Sequence, residues 1–142
     1  MKMMKELIKC CFPNKKKKQE KVRPTQTITI MADFGNGPYA WIKGTADESN
    51  YVGRNIADAC TGFGDELSVS DELEMDFMNW VYFFENNYDK PDYDWTEFNQ
   101  QGVEMSKRLY LELNGIYRVI YEKPIEDPDH ETQRQIEISL TI

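Results

Sequence analysis

Histidine and cysteine are scarce in this chain, and long apolar runs are missing. One histidine, His130, and three cysteines, Cys10, Cys11 and Cys60, stand among 142 residues. A zinc site ordinarily takes several Cys or His ligands at short spacings, and this set cannot supply them. No metal and no cofactor is therefore expected, and His130, inside Asp127-Pro128-Asp129-His130-Glu131, reads as a surface-turn residue. An odd cysteine count, with two adjacent, makes no disulfide framework and points to a reducing compartment. Nothing approaches the roughly 20 apolar residues that a bilayer crossing needs. The apolar residues ahead of the lysine run are interrupted by Lys5, Glu6 and Lys9, so no secretory signal is expected either. A cytoplasmic location follows as the expectation.

Short chemical motifs are equally thin. Gly35-Asn36-Gly37 and Gly62-Phe63-Gly64 lack the full glycine pattern and the following Lys-Ser/Thr of a phosphate loop. Asp33-Phe34-Gly35 matches a kinase magnesium-loop tripeptide without any companion signature. Asp89, Asp92 and Asp94 alternate as in a calcium loop, but the central glycine and closing glutamate of that loop are absent.

Charge is plentiful and uneven. The formal net charge is −8. Residues 1–24 hold nine Lys/Arg against Glu6 and Glu20, a net of +7, and the remainder holds eight basic against 23 acidic residues, a net of −15. A strongly acidic body repels nucleic acid and attracts cationic partners. Simple solubility is the plainer explanation. Residues 1–26 read as a basic tail set apart from an acidic domain over 27–142. In the tail, Met3, Met4, Leu7, Ile8 and Cys11 fall at helical spacing before Pro13, and Lys15, Lys16, Lys17 and Lys18 follow. Such a segment suits an anionic membrane surface, with Cys10 and Cys11 as acylation candidates in a eukaryotic cell, but one stretch of this kind holds a membrane only marginally, and a frayed, charged N-terminus without a role is the favoured reading.

Within the body, Thr27 to Ala32 alternates β-branched residues as a strand, turn formers follow at 33–38, and Tyr39 to Lys43 reads as the returning strand. Val52 to Cys60 suggests a short helix with Ile56, Ala59 and Cys60 on one side. Ser70 is suited to cap a helix whose apolar stripe is Leu73, Phe77, Trp80, Val81 and Phe84. Asp94 and Glu97 form a capping-box pair ahead of a second helix carrying Phe98, Met105, Leu109 and Leu113, stopped at Asn114-Gly115. Ile116 to Glu122 reads as a strand, and Gln135 to Ile142 alternates with period two as another. The expected fold is α+β, a mainly antiparallel sheet covered on one face by two long helices.

Between Trp80 and Trp95, seven aromatics interleave with acids and amides. The helical stripe needs Trp80 and Phe84, whereas Tyr82, Phe83, Tyr88 and Tyr93 are not demanded by it. Rigid aromatics dominate binding hot spots, and neighbouring aspartates pair with partner Lys or Arg and speed encounter. Tyr82, Tyr88, Asp89, Asp92, Tyr93 and Asp94 are the candidate partner-binding residues. The competing explanation is that the rings pack on the domain itself and the acids cap the second helix.

In its acidic body, its aromatic helix and the loop Tyr88-Asp89-Lys90-Pro91-Asp92-Tyr93-Asp94-Trp95, the chain resembles bacterial immunity proteins, most clearly over residues 65–100. The resemblance implies a cytoplasmic antidote that covers the basic active-site cleft of a toxin stoichiometrically, with no cofactor and no turnover. Two other readings stand beside it. One is a small hydrolase or transferase using carboxylates around Asp33, Asp58 or Asp65, and the other a peripheral membrane or scaffold protein anchored through residues 1–21.

Overall fold

A computed structural model describes residues 26–44 and 52–139. The tail with Lys15 to Lys18, the polar stretch Asp47 to Asn50 and the last residues of the expected closing strand lie outside the described residues.

Five strands form one mixed sheet: β1 (Gln26–Ile30), β2 (Pro38–Gly44), β3 (Arg54–Asp58), β4 (Arg118–Glu122) and β5 (Gln135–Glu137), with two helices, α1 (Asp71–Asn87) and α2 (Trp95–Glu112), between β3 and β4. The strand order is β3-β2-β1-β4-β5. Three of the four pairings are antiparallel; in the fourth, β1 runs parallel to β4 with Thr27 opposite Arg118 and Ile30 opposite Tyr121. Parallel neighbours need a crossover, and here the crossover carries β2, β3 and both helices.

Alternation decides which side each residue faces. Ile28 and Ile30 of β1, their partners Ile42 and Ala40 of β2, and Val119 and Tyr121 of β4 point into the core beneath the helices. Thr27, Thr29 and Ile120 belong to the opposite face and are also buried, and on that side the Trp41 indole N–H donates to the Met31 carbonyl at 3.2 Å. The helices contribute Leu73, Phe77, Trp80, Val81 and Phe84 from α1 and Phe98, Met105 and Leu109 from α2 to the same core. Fully burying a side chain of this kind stabilises by about 1.5–3 kcal/mol, so this one layer dominates the stability. The α+β architecture with helices on one face is as the sequence led us to expect.

Both helix starts follow their caps. The Ser70 hydroxyl accepts from Leu73 N at 3.1 Å and donates to Glu112 Oε2 at 2.7 Å, tying the start of α1 to the end of α2. Asp94 Oδ1 accepts from Glu97 N at 3.0 Å. After α2, Asn114 and Gly115 take positive φ, and Gly115 N donates to the Tyr110 carbonyl at 3.1 Å, closing the helix end.

Two expectations are corrected. Val52 to Cys60 is not helical: its middle is β3, paired with β2. Gly53, at φ +108°, lies so close to the Ile42 carbonyl that a Cβ there would sit 2.1 Å from its oxygen. Asn55 adds side-chain bonds to the carbonyls of Ala40 and Ala57, at 3.0 and 2.8 Å. Cross-strand contacts outweigh a weak three-residue helical spacing. The closing strand is also shorter than its alternation suggests, with β5 spanning Gln135–Glu137 and Ile138 buried just beyond it.

Candidate functional site

At about 100° per residue, positions separated by three, four, seven or eleven share one side of a helix. Asp76, Asn79, Phe83 and Asn87 form such a row on α1, beside its buried stripe. Glu97, Gln101, Glu104 and Arg108 form the matching row on α2. The two rows flank a groove of about 1140 Å³ along the solvent side of the helix seam, and the loop Lys90 to Asp94 closes one end.

Its floor is aromatic. Trp80 and Phe98 stack with centroids 4.5 Å apart and planes 9° from parallel, and the Trp80 indole N–H donates to the Phe98 carbonyl at 3.0 Å. Met105 extends the floor, and Phe83 stands at the rim with 59% of its surface exposed. Gly102 makes the close approach possible. A Cβ there would lie 2.2 Å from a Tyr121 ring carbon and 2.9 Å from the Trp80 ring.

Five carboxylates line the groove, Asp76, Asp92, Asp94, Glu97 and Glu104, against two cations, Lys90 and Arg108. Arg108 pairs with Asp76 across the two helices at 2.7 Å, both half-exposed. Lys90 donates to Asn87 Oδ1 at 2.6 Å. Glu97 accepts from Gln101 at 3.3 Å, and Glu104 has a loose pair with Lys107 at 3.5 Å. Negative charge thus remains in excess along the rim, and it faces water.

Of the six sequence candidates, the structure brings together Asp92, Tyr93 and Asp94, all on the groove wall. Tyr93 is half-buried, its ring 4.7 Å from Trp95 and 5.8 Å from Phe98. Its hydroxyl is enclosed without a hydrogen-bond partner among the described residues, and burial raises its pKa, so the ring is neutral at physiological pH. Tyr88 is turned inward onto Phe34 at 4.5 Å and Phe84 at 5.8 Å. Tyr82 is exposed but projects from the side of α1 away from the core, and neither it nor Asp89 lines the groove. Three of the six candidates, Asp92, Tyr93 and Asp94, thus share the groove, and Tyr82, Tyr88 and Asp89 do not line it. Consecutive residues on a helix point about 100° from one another, so an unbroken sequence segment cannot present a single face. Phe83, Asp76, Glu97 and Glu104 were missed as groove residues, and the helical spacing of the two rows was the signal that could have found them.

The carboxylates considered for hydrolysis lie elsewhere. Asp58 Oδ1 accepts from the backbone of Cys60 and Thr61, both at 2.9 Å, which is a turn cap. Asp33 Oδ1 accepts from Phe34 N at 2.8 Å, and Asp65 is exposed. None of the three lines the groove. His130 is half-buried with Nδ1 3.3 Å from the Asp127 carbonyl, and among the described residues no group of three or more His, Cys, Asp or Glu is placed to hold a metal ion. No helix among the described residues is long and apolar enough to cross a membrane.

The chain matches no family model, no curated protein and no solved structure. The groove therefore has to be read from its own chemistry: Phe83 and the half-buried Tyr93 offer apolar surface above a floor already closed to water by core packing, and a carboxylate rim gains from cations.

Proposed function

We propose that this domain is a non-catalytic protein-binding module of the immunity type, neutralising a basic toxin or effector by seating part of it on the seam between α1 and α2. The observation that carries this reading is an exposed aromatic, Phe83, set among five carboxylates along one groove with a stacked aromatic floor. In such contacts a desolvated aromatic supplies most of the affinity, while surrounding charge sets orientation and encounter rate. The −15 carried beyond residue 24 supports the same reading, because a field of that sign draws in basic proteins from a distance.

The test uses basic proteins encoded beside this chain's gene as probes, with growth rescue on co-expression and surface plasmon resonance as readouts. Asp92→Lys, Glu97→Lys and Glu104→Lys combined turn five acids against two cations into two against five. All three residues are exposed, so the fold should persist. The triple variant should lose at least about 100-fold in affinity, and most of the salt dependence with it. An unchanged affinity in a folded triple variant sinks the reading.

A further inference from the structure

The groove's chemistry is matched by a segment of the chain itself. Residues 2–18 carry Met3, Met4, Leu7, Ile8 and Cys11 at helical spacing, with Lys2, Lys5 and Lys9 between them and Lys15 to Lys18 beyond Pro13. We propose that this N-terminal segment docks in the α1–α2 groove of its own chain, its apolar stripe on Phe83 and Tyr93 and its lysines on the carboxylate rim, so that a partner must displace it. The inference rests on the groove being the binding surface of the reading above, but on no particular partner.

Three features support it. Charge is complementary: the segment through residue 24 carries +7, and the groove holds five acids against two cations. Length is matched: residues 2–12 as a helix would measure about 16 Å at 1.5 Å per residue, and Glu97 to Arg108 covers about the same. Reach is sufficient. β1 is parallel to β4, and β4 follows α2 after a short turn, so Gln26 begins near the end of α2. Asp76 and its partner Arg108 mark the groove's end on that side. The route from the sheet past the helix layer to a segment seated on it crosses two packing distances of about 10 Å each, about 20 Å. The chain between Pro13 and Gln26 extends to about 40 Å at 3.3 Å per residue.

Zero-length carbodiimide coupling of the full chain, mapped by mass spectrometry, tests this directly, since it joins amines only to carboxylates they touch. An equal mixture of isotopically heavy and light chains separates links within a chain from links between chains. Links from Lys2, Lys5, Lys9 and Lys15 to Lys18 should fall within one chain on Asp92, Asp94, Glu97 and Glu104. They should drop several-fold at about 0.5 M salt, where the Debye length is about 4 Å. Leu7→Asp, which leaves every lysine in place and lies outside the described body, should also reduce them several-fold. Links spread evenly over Asp65, Glu66, Asp71 and Glu131 overturn the proposal, as do groove links indifferent to Leu7→Asp. Links only between heavy and light chains assign the groove to a second copy. Absent groove links with the segment protected on phosphatidylserine vesicles assign it to a membrane. Each of these failures leaves the charge-reversal test of the external partner untouched, so the two ideas fall separately.

Discussion

At Gly102, in the middle of α2, a single hydrogen in place of a methyl decides how closely the helix can approach the sheet. Alanine in a helix interior gains up to about 1 kcal/mol over glycine. Against that stands a contact of 2.2 Å with the Tyr121 ring. That ring cannot swing away freely, because its hydroxyl donates to Asn99 Oδ1 at 2.6 Å and Asn99 in turn donates to Asp127 Oδ2 at 2.8 Å. Overpacking of this kind typically costs about 1–3 kcal/mol and occasionally more. With both ring neighbours fixed, the upper part of that range applies and outweighs the propensity gain. Gly102→Ala should therefore lose about 2 kcal/mol in urea unfolding; a variant as stable as the parent would mean that the Tyr121 ring is free to move aside. Nothing in the sequence marked Gly102, since a lone glycine in an amphipathic helix reads as a weak spot until the ring above it is known. Asp127 was equally hidden. In a segment of acids and prolines it looked solvated, yet it is only 2% exposed and anchors the 124–130 turn to α2.

Elements were more legible than contacts. Both helices were evident because two independent signals coincide in each, a side-chain cap and an apolar stripe at 3.6-residue period. β3 was not, because its pairing partner is fixed by tertiary approach rather than by its own pattern. The parallel β1–β4 pairing was similarly invisible, as strand order depends on which edges meet. At the short edge strand β5, Arg118 holds Glu137 through two bonds of 2.8 and 2.9 Å. That hydrogen bonding lowers the Glu137 pKa. A lowered folded-state value means that the pair's stabilisation is present above the ordinary carboxylate range and lost as pH falls through the folded value. Both side chains are about half exposed, which limits the pair to no more than about 1 kcal/mol. Glu126 works in the opposite sense, because burial raises its pKa and its cost is relieved on acidification. Comparing the parent with Glu137→Gln cancels that contribution. The parent's advantage should be constant from about pH 7 to pH 5 and shrink progressively as pH falls below the ordinary carboxylate range. An advantage that stays constant however far the pH is lowered would show that Glu137 stabilises by packing rather than by charge.

At the scale of the whole molecule, two electrostatic effects oppose each other, and their sizes decide the response to salt. Exposed ion pairs such as Arg54–Glu66 and Arg118–Glu137 favour folding, but each contributes about 0–1 kcal/mol and weakens as salt is added. Beyond residue 24, acids outnumber bases by 23 to eight, and folding concentrates that excess in one small body. Self-repulsion of this kind opposes compaction and is screened over distances beyond about 8 Å at physiological ionic strength. The pairs lie within 4 Å, whereas the repulsion is summed over the whole acidic body, so screening removes the unfavourable sum sooner than the favourable contacts. Raising salt from about 10 mM to about 150 mM, where the Debye length falls from about 30 Å to about 8 Å, should therefore raise the thermal midpoint. With Lys15 to Lys18 replaced by glutamine the net charge becomes more negative, and the rise should be larger, because those lysines no longer offset the acidic body at low salt. A midpoint that falls with salt in both forms would mean that local pairs, not the summed charge, govern the stability of this fold.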